Sequence, residues 1–469
     1  MPAPEKASRK VAPKAAKRAP DARAQCREDR EAAGRGRRKE VPRAAHAQWK
    51  GADGARDPIA ILEASNKGRL ANLIPIRYGR MAKSPFTFMR GSAAVMAHDL
   101  AKTPATGLTA QLCGDCHLLN FGLFATPERH LVFDLNDFDE TLPGPWEWDV
   151  KRLAASFVVA GRDNGFTESQ CRDAVMAGMA SYRETVRDCA RMSPLEVWYL
   201  HMDWQDVIDR ERDPEARKAE ERLAQAARKR VIEHLFPKIV KATGGAMRFV
   251  DQPPLLYHAP NLEIEKRVAG VVARYRLSLP DDRRVLLDRY QVKDFALKVV
   301  GIGSVGTRCA IALLLSHDGD VLILQVKEAR KSVLEAYAKR CGYANQGERV
   351  VQGQRLMQSS SDIFLGWVRA EDGRDYYVRQ LRDMKFSAPI EQASPRQFNG
   401  YAKLCGWTLA RAHAKSGDAA AIGGYLGKGG RFDEALVKFA AAYADQVERD
   451  HAALAKAIRS GRVEALAEQ

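Results

Sequence analysis

Carboxylate and amide side chains are concentrated in two short segments of the chain. In the first segment, Gly-Asp-Cys-His-Leu-Leu-Asn, Asp115 precedes Asn120 by five residues. The second segment, Phe-Asp-Leu-Asn-Asp-Phe-Asp, supplies Asp134, Asp137 and Asp139 at 14, 17 and 19 residues after Asn120. Mg²⁺ is a hard cation that prefers carboxylate and amide oxygens, and it relieves the repulsion between clustered carboxylates. The two segments therefore predict a magnesium site.

The interval between Asp115 and Asn120 is that of the kinase catalytic loop, in which the Asp accepts the proton of the substrate hydroxyl and the Asn binds magnesium. A short strand then delivers a second Asp that binds Mg²⁺ bridging the phosphates. Asp137, followed by Phe138, is the first choice for that second Asp, in the manner of an Asp-Phe-Gly motif. Asp139 stands where the Gly would be. Asp139 is therefore an alternate metal ligand.

A second motif, Gly-Ile-Gly-Ser-Val-Gly, could bind phosphate and is followed 21 residues later by a lysine. In a dinucleotide-binding fold such a loop opens a helix, and an acid about 20 residues on, here Glu328, contacts the ribose. In kinases the loop turns between two strands, and a Lys on the third strand pairs with the phosphates of ATP. The turn at 317–320 lies between apolar runs, which favours a hairpin and hence the second alternative. The candidate nucleotide-binding residues are Gly301, Gly303, Ser304, Gly306 and Lys327.

In a kinase-like site Lys327 would pair with a Glu from the next helix. Glu348 is the choice because its predicted helix directly precedes the fourth strand, and Glu335 is the alternate. Asp115, Lys327 and Glu348 are thus the predicted catalytic residues. Asp149 could cap the helix after the acidic segment and hold the loop.

Weaker candidates for anion binding are basic residues beside glycines or at strand ends. Ordinary surface ion pairs would explain each of them equally well. They are Arg90, Arg379, Arg382 and Lys385.

The elements that must position these residues differ along the chain. Helical periodicity dominates residues 58–112, apart from a short extended piece at 85–90, and also residues 148–240 and 397–467. Residues 291–383 contain five strand-like runs with short Gly- or Asp-containing turns, and a helix at 331–358 is predicted between the third and fourth. The predicted fold class is α+β with two lobes.

Seven segments together resemble a bacterial family catalogued as domain of unknown function 2252. They are SPFTFMRG, CGDCHLLNFG, FDLNDFDETLPGPWEWDVKRLAAS, VVGIGSVGTRC, LQVKEA, YYVRQLRDMK and LARAHAKSGD. The acidic motifs are also similar to those of aminoglycoside phosphotransferases and other kinase-like enzymes. That similarity implies that Asp115 is the base, that Asn120 and Asp137 bind metal, and that Lys327 pairs with phosphate, with ATP and Mg²⁺ as cofactors.

In kinases the Gly-rich lobe precedes the catalytic loop, whereas the order is reversed in this chain. The predicted fold is therefore protein-kinase-like and circularly permuted, unless one of the two similarities is accidental. The helix predicted at 397–415 resembles the one that leads into a catalytic loop and supports the permutation. Four regions are predicted: a disordered basic tail (1–57), an α-rich lobe with the catalytic-like loop (58–260), a β-rich nucleotide-binding lobe (261–390), and C-terminal helices packed on the α-rich lobe (391–469).

Charge and composition limit the partners. The 469 residues carry a net charge of +16, and residues 1–57 hold 16 basic and 8 acidic residues, so the tail could contact nucleic acid. No apolar run approaches a membrane span, and no secretory signal is present. Eight cysteines without such a signal indicate a reducing, cytoplasmic location. Cys113 and Cys116 match a haem-attachment pattern, but no further ligands support haem or zinc.

The predicted function is ATP- and Mg²⁺-dependent phosphotransfer to an unknown small-molecule or protein hydroxyl acceptor. Transfer of AMP on the same fold is a related alternative. A non-catalytic nucleotide-binding or sensing protein is the alternative from another class, because the Gly expected after Phe138 is absent.

Overall fold

The computed structural model describes residues 26–49, 51, 56–258, 270–338, 340–381 and 384–466, which form a mixed α+β structure. The strands are β1 (Thr109–Leu112), β2 (Phe121–Ala125), β3 (Leu131–Leu135), β4 (Leu142–Pro145), β5 (Val240–Thr243), β6 (Ala246–Phe249), β7 (Leu256–Tyr257), β8 (Tyr290–Lys298), β9 (Cys309–Ser316), β10 (Val321–Ala329), β11 (Gly366–Arg369) and β12 (Asp375–Gln380). The α-helices are Arg27–Gly36, Pro58–Asn66, Ile74–Met81, Pro85–Gly91, Ala93–Leu100, Glu147–Asp163, Glu168–Cys189, Pro194–Tyr199, Trp204–Arg210, Pro214–Arg228, Ile232–Ile239, Asp281–Leu287, Gln346–Met357, Pro395–Ser416, Ala419–Leu426 and Arg431–Arg459.

Six strands form the main sheet, in the antiparallel order β11-β12-β10-β9-β8-β7. Strands β8 to β12 correspond to the five predicted strands. Gly319 (φ 89°) and Gly373 (φ 79°) adopt the left-handed backbone conformation in the turns of the β9–β10 and β11–β12 hairpins, so both predicted hairpins are confirmed. The helix predicted at 331–358 is instead a short 3-10 turn, Val333–Ala336, followed by the helix Gln346–Met357.

The central strands of this sheet are buried on both faces. Along β9, Ala312 and Leu314 belong to one apolar cluster, whereas Ile311 and Leu313 belong to another on the opposite face. This alternation follows from the period of two in a strand. The sheet therefore packs between two apolar layers.

The rest of the described chain is mostly helical and packs around the buried helix Glu147–Asp163. Two small antiparallel strand pairs lie in this part: the β2–β3 hairpin, and β1 paired with β4. Helices Glu168–Cys189 and Pro395–Ser416 pack closely because glycines face each other. A β-carbon added at Gly406 would collide with the backbone carbonyl of Gly178.

Residues 26–49 correct the prediction of a disordered tail. The helix Arg27–Gly36 packs against Ala419–Leu426. Arg38 donates to the backbone carbonyls of Gly424 and Tyr425, which lie in the last turn of that helix and have no partner within it. An arginine of the basic tail thus hydrogen-bonds the free backbone carbonyls at a helix end, and such a contact cannot be predicted from composition. Residues 1–25 of the predicted tail lie outside the described residues.

The segment Pro85–Gly91 is also different from its prediction, because it is a helix and not extended. Ser84 accepts from the backbone N–H of Thr87, and the Thr87 hydroxyl oxygen accepts from the backbone N–H of Ser84 at 2.9 Å. This capping box, with Pro85 at the first helical position, outweighs the low helix propensity of the aromatic residues. Among the described helices, none is long and apolar enough to cross a bilayer.

Replacing Gly406 by Ala should destabilise the protein, because the added methyl group meets the Gly178 backbone. We expect a loss of about 1–3 kcal/mol in the free energy of unfolding, the usual cost of overpacking. Gly400→Ala in the same helix is the matched control, since nothing lies within 4 Å of a β-carbon there, and it should stabilise slightly. Urea denaturation measures both. Equal stabilities of the two variants would contradict the close helix contact.

Candidate functional site

A cleft of about 600 Å³ lies between the main sheet and the helical part of the chain. Gly301, Gly303, Ser304 and Lys327 line it from the sheet side. Asp115, Asn120, Asp137 and Asp139 line it from the other side. The structure therefore brings together the acidic segments and the Gly-rich loop, although Gly301 follows Asp139 by 162 residues in the chain. Gly306 and Glu348 are the predicted site residues that do not line the described cleft.

The Gly-rich loop connects the antiparallel strands β8 and β9. Gly301 (φ 67°) and Gly306 (φ 88°) both adopt the left-handed backbone conformation that glycine favours. A dinucleotide-binding loop would instead open a helix, so that alternative is wrong. Glu328, its proposed acid, accepts hydrogen bonds from Arg308. Lys327 lies on β10, the third strand of the predicted five.

Lys327 is 2 % exposed and pairs with Asp137 and Asp139 of the second acidic segment. Its Nζ lies 3.8 Å from Asp137 Oδ2 and closer still to Asp139 Oδ2. Tyr377 also donates to Asp139, at 2.8 Å. Burial would lower the pKa of Lys327, but the two carboxylates hold it well above its ordinary value. Burial would raise the pKa of Asp139, but Lys327 and Tyr377 hold it below its ordinary value.

Glu348 is therefore not the observed partner of Lys327, which corrects the prediction. It lies in the first turn of helix Gln346–Met357, where its backbone N–H donates to Asn345. Neither Glu348 nor Glu335 lines the described cleft. Asp139, which replaces the Gly expected after Phe138, pairs with Lys327 in place of a helix glutamate. The presence of an acid at this position was the feature of the sequence that could have indicated the pairing.

Arg349, on the same helix, is a contributor that the motifs do not predict. Its guanidinium donates to the backbone carbonyls of Asp139, at 2.8 Å, and of Thr141. It is 1 % exposed. The helix after the third strand thus supports the acidic loop through Arg349 and not through a glutamate.

Asn120 links the two acidic segments. Its amide nitrogen donates to the backbone carbonyls of Asp115 (3.2 Å) and Asp137 (2.9 Å). Its Oδ1 accepts from the backbone N–H of Asp137 at 2.6 Å. The amide of Asn120 therefore positions Asp137, and its role as a metal ligand stays a prediction.

Asp134, the third acidic candidate, is buried away from the cleft. Its carboxylate pairs with the buried Arg411 and accepts from the backbone N–H of Ser359 at 2.7 Å. The acids of the second acidic segment that reach the cleft are therefore Asp137 and Asp139.

Asp115 is held by Arg152, another residue that the motifs do not predict. Arg152 Nε donates to Asp115 Oδ1 at 2.7 Å, and a second guanidinium nitrogen also contacts that oxygen. Asp115 Oδ2 instead faces the Gly-rich loop, 4.0 Å from the position of a β-carbon at Gly303. Burial raises the pKa of Asp115, although Arg152 and Arg90 oppose the shift. One oxygen is thus fixed while the other is directed into the cleft.

Asp149 supports the Asp115 loop, but it does not cap the following helix as predicted, because that helix already begins at Glu147. It accepts from the backbone N–H groups of Cys113 (2.8 Å) and Gly114 (3.0 Å). Asp149, Cys113 and Cys116 form a buried group of possible metal ligands. Burial raises the pKa of Cys116 to about 11 and that of Cys113 well above its ordinary value. Both thiols are therefore neutral, and the Asp149 oxygens are committed to the loop.

The cleft carries an excess of positive charge. Eight basic and five acidic residues line it. Arg379 and Lys385 both donate to the backbone carbonyl of Asn136, at 3.3 and 3.2 Å. Burial and the neighbouring Arg379 lower the pKa of Lys385 to about 7. Arg382, the other basic candidate of this segment, lies outside the described residues.

Residues 69–457 match the family described as "Uncharacterized protein conserved in bacteria (DUF2252)". The chain belongs to this family. The DUF2252 match begins at the cleft residue Arg69 and extends beyond Lys385, so it contains both acidic segments, the Gly-rich loop and the anion-binding candidates. No curated protein and no solved structure shows significant similarity to the chain.

The low pKa of Lys385 predicts a change of stability with pH. The amine has a pKa near 10.4 in an unfolded chain and about 7 in the folded protein. Between these values the unfolded state binds more protons, so the free energy of unfolding should increase with pH, by at most about 1.4 kcal/mol per pH unit. Urea denaturation at pH 7, 8 and 9 would therefore show wild type gaining stability relative to Lys385→Met.

Lys331→Met is the control for this measurement, because Lys331 is an exposed lysine of the same cleft. A difference between wild type and Lys385→Met that stays constant from pH 7 to 9 would contradict the low pKa.

Proposed function

We propose that this protein binds a nucleoside triphosphate with Mg²⁺ in the cleft and transfers the γ-phosphoryl group to a hydroxyl acceptor. Phosphoryl transfer depends on positioning and on electrostatic stabilisation of the phosphates. The observation that carries the proposal is that one cleft contains the groups needed for both. These are the loop backbone at Gly301 and Gly303, the Lys327 ammonium, and the carboxylates of Asp115, Asp137 and Asp139.

Asp137 and Asp139 fit a magnesium ion by the chemistry of their donors. Both offer hard carboxylate oxygens to the cleft, with side chains 46 % and 27 % exposed. When bound there, magnesium neutralises charge on the phosphates. Lys327 would exchange one of its carboxylate partners for a phosphate oxygen. Arg379 and Lys385 add positive charge beside Asp137, which favours a polyanionic ligand over a neutral one.

Asp115 is the proposed base for the acceptor hydroxyl. Arg152 fixes one carboxylate oxygen and leaves Oδ2 directed at the Gly-rich loop, under which the γ-phosphate would lie. The raised pKa of Asp115 makes it a stronger base than an exposed carboxylate. Arg152 prevents the carboxylate from rotating away, so the hydroxyl and the phosphate would meet in a defined geometry.

The chain path supports a kinase-like fold in permuted order. The β2–β3 hairpin leads from Asn120 to Asp137. Leu123 of that hairpin exchanges backbone hydrogen bonds of 2.8 and 2.9 Å with Phe386, which follows the last strand of the main sheet. Helix Pro395–Ser416 then returns to the acidic segment through Arg411, which pairs with Asp134. The nucleotide-binding and acidic parts are thus joined by the segment after β12, as the permutation requires.

Incubation with γ-labelled or α-labelled ATP and Mg²⁺ tests the proposal. Wild type should release or transfer label from the γ position alone, and Asp137→Ala should lose at least about a hundredfold of that activity because the cation would lose a ligand. Asp173→Ala, at an exposed acid of helix Glu168–Cys189, is the matched control and should keep wild-type activity.

Each other outcome selects a different function. Movement of α label would indicate AMP transfer. Thermal stabilisation by ATP without movement of any label, in both wild type and Asp137→Ala, would indicate non-catalytic nucleotide binding and would overturn the proposal.

A further inference from the structure

Arg90 lines the cleft, and within the described part of the chain its guanidinium forms no ion pair with a carboxylate. It belongs to the capped helix Pro85–Gly91 and lines the cleft beside Asp115. Its Nε is buried and has no hydrogen-bond partner among the described residues. A buried donor without a partner is costly, and a guanidinium is suited to bind oxyanions through two parallel hydrogen bonds. This position is therefore suited to a negatively charged ligand.

His117 provides an independent observation at the same place. It follows Asp115 by two residues, lines the cleft, and is 9 % exposed. Its Nδ1 is buried and likewise has no partner within the described chain. Phe86, from the helix that carries Arg90, packs edge-on against the imidazole ring, and the two ring centroids lie 6.3 Å apart. Burial, Arg90 and Arg152 lower the pKa of His117 well below its ordinary value, so the ring is neutral and one ring nitrogen carries a proton to donate.

The carboxylates of the described cleft do not favour a cationic acceptor. Asp115 pairs with Arg152, and Asp139 with Lys327. Glu140 accepts from the backbone N–H of Val333 at 2.7 Å, and Glu328 accepts from that of Arg308 at 3.0 Å. Asp137, the remaining acid, pairs with Lys327 and is the proposed cation ligand. The basic side chains, in contrast, outnumber the acids.

We propose that the acceptor is an anion, and that Arg90 and His117 bind its phosphate or carboxylate group while its hydroxyl lies at Asp115. This inference rests on the proposed function, which makes Asp115 the base. Lys327, Arg379 and Lys385 lie around Asp137 and Asp139, where the nucleotide phosphates would bind. Arg90 lies instead at Asp115. His117 is close to Arg90 and to Arg152, the partner of Asp115, although the charge of Asp137 also reaches it. The acceptor thus carries its acidic group close to the hydroxyl that is phosphorylated.

Calorimetric titration with inorganic phosphate and with acetate tests the inference. The protein is first saturated with Mg²⁺ and a non-hydrolysable ATP analogue, so that the nucleotide site is filled. Wild type should bind at least one of the two anions, and the preferred anion distinguishes a phosphorylated acceptor from a carboxylated one. Arg90→Gln should weaken that binding about tenfold or more, the effect of losing a charge-assisted hydrogen bond. Its affinity for the nucleotide analogue should stay within about twofold of wild type.

Two further variants make the result specific. Lys83→Gln removes the same charge from an exposed lysine just before this helix, and should bind the anion as wild type does. Arg90→Lys keeps the charge but not the two-pronged donor, and should be intermediate. Melting temperatures identify any variant that fails to fold, and His117→Gln then replaces it with the same expected loss.

The failures of the two proposals are distinguishable. Absence of nucleotide binding in every protein would overturn the proposed function, and the anion titrations are then compared without nucleotide. Equal anion affinity of wild type and Arg90→Gln would overturn the anionic acceptor. A loss of nucleotide affinity in Arg90→Gln, with anion binding unchanged, would assign Arg90 to the nucleotide and would also overturn it.

Discussion

Lys327 and its two carboxylate partners form the contact on which the cleft depends. The lysine comes from the middle of the main sheet, and Asp137 and Asp139 come from the loop after β3. A buried charge without a partner is strongly destabilising. The sheet and the acidic loop must therefore keep their relative positions, so that Lys327 stays paired with the two carboxylates. Under the proposed function, phosphate and a divalent cation would together offer each of these charges a new partner.

The acidic loops have little regular structure of their own and are held by side chains that bind their backbone. Asn120 joins the two loops, Asp149 supports the first, and Arg349 supports the second. Each of these side chains is buried, where hydrogen bonds are stronger than in water. Polar residues near the motif therefore serve mainly to position Asp115, Asp137 and Asp139. This arrangement is what a site that acts by electrostatic pre-organisation requires.

Predictions from the sequence were accurate where the relevant interaction is local. The hairpins of the main sheet follow from turn residues between apolar runs, and the Gly-rich loop follows from its position between two of those strands. Predictions were wrong where the structure of a segment depends on a residue far away in the sequence. The N-terminal segment contains few large apolar residues, yet Arg38 finds unpaired carbonyls at the end of a helix almost 400 residues away. Arg152 and Arg349 could not be assigned to the site, because arginines on helices usually pair at the surface.

The sequence alone determined the chemical inventory: which residues are candidates for binding phosphate, which are candidates for binding a hard cation, and the short spacings within each motif. It also determined the antiparallel sheet, since strand periodicity and turn chemistry are properties of neighbouring residues. Only the tertiary structure decided that Asp139 and not Glu348 faces Lys327, and that Asn120 is used to hold a loop. It also decided that Arg90 Nε and His117 Nδ1 are buried without a hydrogen-bond partner in the part of the chain that the structure describes. These outcomes depend on which buried charges and donors are satisfied. That is a property of the whole packed chain, because burial penalises every polar group that finds no partner, however far along the sequence the partner lies.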